Sequence, residues 1–205
     1  MLGHDEIRER LRTSYDAFAT EREGLGKQAW KLDERADFAQ RMREAKATRL
    51  LEIGAGTGQD SAFFQEQGFE VVATDLSAAM VDYCRSKGID ARVMDMLHLS
   101  FGPAEFDAAY AMNSLLHVPN AELGRVFSGI RAVLRPAGLC YVGLWGGTEF
   151  EGIAEWDHQR PQRFFCFRTE EQLRRFAEAE FEIVDFHTVK DGDLTFQSLT
   201  LRAPA

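Results

Sequence analysis

The chain has 205 residues, 45% of them hydrophobic, with a formal net charge of −9. That length buries one substantial core and is short for two independent domains. The negative balance repels phosphate backbones, so no nucleic-acid partner is expected, and no apolar run approaches the ~18–20 residues that a membrane span needs.

The first residues, MLGHDEIRERLR, are charged and lack the apolar stretch of a secretion signal. Ile7, Leu11, Tyr15 and Phe18 recur at helical spacing, and a second helical stretch runs over residues 28–45. These two helices precede any strand signal and read as a cap over an edge or a pocket mouth. From residue 49 the pattern changes to alternating strands and helices. Strands are predicted over 49–53, 70–74, 91–94, 106–111 and 139–145, with helices over 60–67, 77–87 and 121–134. Such alternation gives a parallel sheet with helices on both faces. Thr169-Glu170-Glu171-Gln172 is a capping box opening a helix to about residue 180. Two strand-like runs follow, 181–189 and 194–202, and the four residues between them allow only an antiparallel hairpin. The expected fold is therefore α/β: a Rossmann-like, doubly wound, seven-stranded sheet, mostly parallel, that ends in an antiparallel β-hairpin under an N-terminal helical lid. One domain over 1–205 divides into a helical cap (1–46), a ligand-binding core (47–145), an insertion (146–168) and a C-terminal helix and hairpin (169–205).

Gly54, Gly56 and Gly58 alternate where the first strand turns into a helix. Glycine permits positive φ there and lets a ligand approach the backbone. A dinucleotide pyrophosphate would also suit such a loop. The G-x-G-x-x-G pattern fails from both starting points, however, because Gln59 and Ser61 stand where its last glycine belongs. Glu52 brings a carboxylate to the same mouth, which suits an ammonium or sulfonium better than a pyrophosphate. Asp75 ends the next strand, where a carboxylate accepts ribose hydroxyls in either ligand class. Asp95, beside Met96, ends the third strand, within reach of an adenine amino group. Cys84, Cys140 and Cys166 form no CxxC pair and no Cys/His cluster at metal spacing. They read as reduced thiols in a cytoplasmic protein that holds no metal.

LLEIGAGTGQD, VVATDLSAAMVDYC, VMDMLHLSF, FDAAYAMNSLLHVP and VLRPAGL together resemble successive motifs of the class I S-adenosylmethionine-dependent methyltransferases. The flavour is that of the small-molecule branch with ubiquinone-biosynthesis-type and tellurite-resistance-type enzymes. The resemblance implies that S-adenosylmethionine binds with Glu52 and the backbone of Gly54 at its amino group and Ala55 and Gly56 along it. Gly58 would admit the helix start, Asp75 would hold the ribose, Leu76 would lie on the adenine, and Asp95 and Met96 would read the adenine edge. Asn113 would lie near the sulfonium, and Tyr15, in a Tyr15-Asp16 pair, would cover the ligand.

Methyl transfer needs alignment and exclusion of water, and a base only where the acceptor carries a proton. His117 is the candidate base, the alternative being a histidine that fixes its loop. The insertion supplies Trp156, His158, Arg160 and Arg163, which with Trp145 would form an aromatic acceptor pocket with a cationic end. The loop AMNSLL lacks the Asn/Asp-Pro-Pro-aromatic signature of base-amine methylation, and no Pro-Cys nucleophile follows the fourth strand. These readings point to a small-molecule acceptor and a monomer or homodimer. The alternatives are a non-catalytic S-adenosylmethionine-binding regulator and an NAD(P)-dependent oxidoreductase.

Overall fold

A computed structural model describes residues 3–205. Helices α1 (His4–Glu23) and α2 (Ala29–Glu44) lead into β1 (Arg49–Ile53), α3 (Gln59–Glu66), β2 (Glu70–Asp75), α4 (Ala78–Ser86) and β3 (Asp90–Val93). Then come β4 (Phe106–Met112), a short 3-10 helix (Leu115–His117), α5 (Asn120–Val133) and β5 (Leu134–Gly146). The chain ends with β6 (Phe150–Ile153), β7 (Phe164–Phe167), α6 (Glu170–Glu178), β8 (Glu182–Asp191) and β9 (Leu194–Arg202). The main sheet runs β3-β2-β1-β4-β5-β9-β8, with β9 antiparallel to both β5 and β8. This is the expected seven-stranded sheet.

Strand period two decides which residues face which layer. Leu51 and Ile53 point toward α5, joining Val126, Phe127 and Ile130 in the larger core. Leu50, Val71 and Tyr110 point the other way, onto Phe38 of α2 and Phe64 of α3. Tyr110 stacks on Tyr141 with ring centroids 4.8 Å apart. Glu52 has the parity of Leu50 and so faces the α2/α3 layer.

Two features depart from expectation. β5 begins at Leu134, five residues early, because the Arg135-Pro136-Ala137-Gly138 turn interrupts the ladder without ending it: Phe106 pairs Leu134 and Ala108 pairs Leu139. The insertion, for which no strand is predicted, also contains β6 and β7, which form a separate antiparallel pair. α6 opens as predicted, with Thr169 and Gln172 exchanging both capping-box hydrogen bonds.

Glu34 of α2 clamps this layer to the terminal hairpin. Its carboxylate accepts from Tyr141 (3.1 Å) and Ser198 (2.6 Å) and meets His187 at 2.7 Å, while His187 meets Asp185 at 2.7 Å. Partial burial lowers the His187 pKa, but Glu34 and Asp185 outweigh that and raise it overall. A histidine whose folded pKa is raised contributes fully below its unfolded pKa, about 6.5, and loses that contribution as pH rises through the folded pKa. Because the ring is half exposed, the effect stays below about 1 kcal/mol. Wild type should lose more melting temperature than His187→Asn between pH 6 and pH 8.5. Parallel curves for the two proteins would remove this contribution.

Candidate functional site

The glycine loop is set by contacts on both sides. Gly54 N and Ala55 N both donate to Thr74 O, at 2.8 and 3.0 Å, tying the loop to the end of β2. Gly54 has φ +72°, and a Cβ there would lie 2.3 Å from Ser114 Cβ. Gly58 has φ +81°, and its Cβ would strike Ile89 and Cys84, so this glycine packs α3 against α4. At Gly56 (φ +56°) a Cβ would meet no atom within 4 Å: here the backbone borders open space.

That space is a cleft of about 880 Å³ at the carboxyl ends of the central strands, within the usual size of small-molecule sites. Tyr15, Glu52, Gly54, Ala55, Gly56, Asp75, Leu76, Met96, Asn113 and His117 all line it. Glu52 is 3% exposed and accepts from Ser61 Oγ. Burial, reinforced by nearby Asp60, pushes its carboxyl well above the usual carboxylate range. Asp75 accepts from Gly56 N and Ser77 N, each at 2.9 Å, and burial raises its pKa as well. Asn113 Oδ1 and Ser114 Oγ border the cleft, buried and without hydrogen-bond partners among the described residues. Buried acids and unpaired polar atoms around one cavity suit a ligand carrying a cation and several hydroxyl and amino groups.

The Tyr15-Asp16 pair shows how α1 is docked. Asp16 accepts from Ser77 Oγ (2.6 Å) and Ala79 N (3.2 Å) at the N-terminus of α4, where an anion is favoured. Tyr15 thereby reaches His117, its hydroxyl 2.6 Å from Nε2. His117 Nδ1 stands 2.7 Å from Phe164 O and must donate to it, so Nε2 accepts from the Tyr15 hydroxyl. Burial lowers the His117 pKa to about 3, leaving a neutral ring. Arg163 Nη1 donates to the Tyr15 oxygen at 3.1 Å, and Asp157 holds the Arg163 guanidinium at 2.8–2.9 Å.

Two expectations are redirected. Asp95 does not line the main cleft but an adjoining apolar recess. It meets His4 at 3.2 Å and Arg8 at 3.7 Å, both from α1. The five-residue acceptor cluster also divides. Trp145, next to last in β5, lies against Trp30 of α2, its ring centroid 5.7 Å from that of Trp30 and 5.4 Å from that of Phe196. Trp156, His158, Arg160 and Arg163 line a groove beside α1 instead. The reason is the turn at Gly147 (φ +84°), after which β6 and β7 fold away as their own hairpin.

Sequence reading missed Asp60, paired with Lys27 and with Arg35 at 2.9 Å, and Asp157. The signals were there: an acid directly after the glycine loop, and an acid six residues before an arginine. The cysteines are all buried and free. Cys84 donates to Gly56 O at 3.2 Å, and burial raises its thiol pKa to about 12. Among the described residues no group of three His, Cys, Asp or Glu side chains is placed to hold a metal ion, and no helix is long and apolar enough to cross a membrane.

A parallel sheet with a reversed final hairpin, and an acid-flanked glycine loop at its centre, define the class I S-adenosylmethionine-dependent methyltransferase fold. Residues 50–138 match the family described as a methyltransferase domain. It is 32% identical over 113 residues to the biotin biosynthesis bifunctional protein BioHC of Cellvibrio japonicus, covering 53% of this chain and 22% of that one. The chain spans less than half the length of the first curated relatives it matches. Among solved structures it superposes on 1,6-didemethyltoxoflavin-N1-methyltransferase of Burkholderia thailandensis, bound to 1,6-didemethyltoxoflavin and S-adenosylhomocysteine. That match has a TM-score of 0.76 at 23% identity and covers 100% of this chain and 92% of the other. The cyclase SpnF shares the fold, with a TM-score of 0.71 at 21% identity and 97% of each chain covered.

Proposed function

We propose that this chain binds S-adenosylmethionine in the main cleft and transfers its methyl group to a small-molecule acceptor. The observation that carries this is the buried Glu52 carboxyl beside the glycine loop, which a cationic ligand would allow to ionise. When bound, the cofactor supplies an electrophilic methyl on a positively charged sulfur.

The residues in the cleft fit that ligand. Glu52 and the Gly54 backbone take the amino group, Asp75 takes the ribose hydroxyls, and Leu76 and Met96 flank the adenine. Ala55 and Gly56 lie along the ligand, Asn113 offers its unpaired oxygen near the sulfur, and Tyr15 closes the cleft. Asp95 reads the adenine edge only where the ligand reaches into the adjoining recess, past His4 and Arg8. His117 acts as the positioning residue for Tyr15. Its only free nitrogen accepts the Tyr15 hydroxyl and its pKa lies near 3, so it is a poor proton acceptor at neutral pH. Trp156, His158 and Arg160 form the outer approach for the acceptor, with Arg163 reaching inward to Tyr15.

We take residues 1–205 as a single methyltransferase unit, in which 1–46 cap the core of 47–145, 146–168 face the acceptor, and 169–205 complete the sheet. The protein acts in the cytoplasm as a monomer or homodimer, without a nucleic-acid or membrane partner. The net charge of −9 argues against a nucleic-acid partner, and the three unpaired cysteines suit a reducing compartment. A second reading, a ligand-binding protein without methyl transfer, draws on the cyclase that shares the fold. Methyl transfer in a screen of small acceptors, followed as S-adenosylhomocysteine formed, decides between them. Product formed with at least one acceptor is expected; saturable cofactor binding with no product from any of them would favour the second reading.

A further inference from the structure

A second cavity of about 390 Å³ opens from the main cleft and shares Arg22, Lys27, Gln59, Met112 and Asn113 with it. Lys31 lines this side cavity but not the main cleft. Lys31 is 8% exposed; its backbone N–H donates to Gln28 O, but among the described residues its ammonium makes no hydrogen bond and no ion pair. Its ammonium lies 4.9 Å from the Trp145 ring centroid, 5.1 Å from Trp30 and 5.8 Å from Phe196. Aromatic faces attract a cation but do not neutralise it.

Its position on the helix adds to the cost. Gln28 is the N-cap of α2, so Lys31 stands in the first turn, at the positive end of the helix dipole. No acidic residue occupies that turn, and no side chain caps it. Burial first, then Lys27 and Arg22, outweigh Asp191 and Asp60 and lower the Lys31 pKa to about 8. Lys27 is paired with Asp60 and Arg22 is exposed, which leaves Lys31 as the buried cation without a counter-charge. A chain with a net charge of −9 has thus gathered positive potential from a buried lysine and a helix terminus at one small polar cavity.

We propose that this side cavity holds the anionic group, a carboxylate or phosphate, of the molecule that is methylated, set between the Lys31 ammonium and the first turn of α2. The inference rests on the methyltransferase reading of the main cleft. Since Lys31 lines only the side cavity, its anion belongs to the acceptor and not to the amino-acid end of the cofactor.

The test titrates benzoate, inorganic phosphate and neutral benzamide into the full chain, with and without saturating S-adenosylhomocysteine. It compares wild type with Lys31→Met, Lys31→Gln and Lys31→Arg, each checked for folding by melting temperature. Benzoate or phosphate should bind wild type, at least tenfold more weakly both neutral variants, and within about threefold Lys31→Arg. Benzamide should not bind, and S-adenosylhomocysteine affinity should change less than twofold. Which anion binds more tightly assigns the group. Anions that bind neither protein, or bind the neutral variants as well as wild type, would overturn the proposal. So would a tenfold loss of S-adenosylhomocysteine affinity in Lys31→Met with 5′-methylthioadenosine unaffected, which would give the cavity to the cofactor's carboxylate. If S-adenosylhomocysteine fails to bind wild type, the reading of the main cleft falls, while the titrations without it still decide whether Lys31 holds an anion.

Discussion

Gly54→Ala should destabilise the protein by about 3 kcal/mol and remove S-adenosylhomocysteine binding. Two costs add. A side chain at φ +72° costs roughly 1–2 kcal/mol. The new methyl also lies 2.3 Å from Ser114 Cβ, so one of the two loops must move, and such overpacking costs roughly 1–3 kcal/mol. Ser114 is buried directly before the 3-10 helix that carries His117, so the displacement reaches the Tyr15 contact. For a chain of this size the melting temperature should fall by roughly 6–12 °C. Gly56→Ala is the control. Its methyl enters open space at φ +56°, so it should lose cofactor affinity with only the conformational part of the destabilisation. Denaturant unfolding of both variants checks this, and equal losses of stability would show that the Gly54–Ser114 contact is slack.

Glu52→Gln should weaken S-adenosylmethionine binding roughly 10- to 100-fold, the range for losing a charged hydrogen bond, while leaving the ligand-free protein as stable or more so. Glu52 is buried beside Asp60, a like charge, and its pKa is raised chiefly by that burial. An acid with a raised folded pKa keeps its proton longer folded than unfolded. Stability therefore falls as pH rises from the unfolded value, about 4.3, toward the folded one. The amide retains an acceptor for Ser61 Oγ and removes that pH-dependent loss. The substitution also separates the ligand classes. Losing a carboxylate weakens the hold on an ammonium or sulfonium but relieves repulsion of a pyrophosphate, so NAD would bind the variant no worse than wild type. Calorimetry of both ligands on both proteins gives the answer; unchanged S-adenosylmethionine affinity would take Glu52 out of the site.

The strands and the glycine loop were legible because local signals agreed: short apolar runs closed by glycines, with acids at three successive strand ends. β6 and β7 were not. Each has four residues, and their pairing across a ten-residue loop has no local signature. Trp145 was misgrouped with Trp156 by nearness in sequence, whereas its ring partners are Trp30 and Phe196. Lys31 looked like any lysine in a polar helix, because two of the rings around it come from more than a hundred residues away. The environment of His117 depends on the carbonyl of Phe164, 47 residues downstream, so sequence offered a base and a loop-fixing residue equally. Asp95 was rightly placed at a strand end, but its neighbours His4 and Arg8 are set by where α1 docks.

The central claim is that the main cleft takes a cationic adenosyl ligand at Glu52, Gly54 and Asp75. Calorimetric titration of wild type with S-adenosylhomocysteine at pH 7, repeated in two buffers of different ionisation enthalpy, tests it most directly. One saturable site per chain is predicted, with a proton released on binding as Glu52 ionises against the ligand's ammonium. No binding of S-adenosylhomocysteine, alongside saturable binding of NAD, would contradict it.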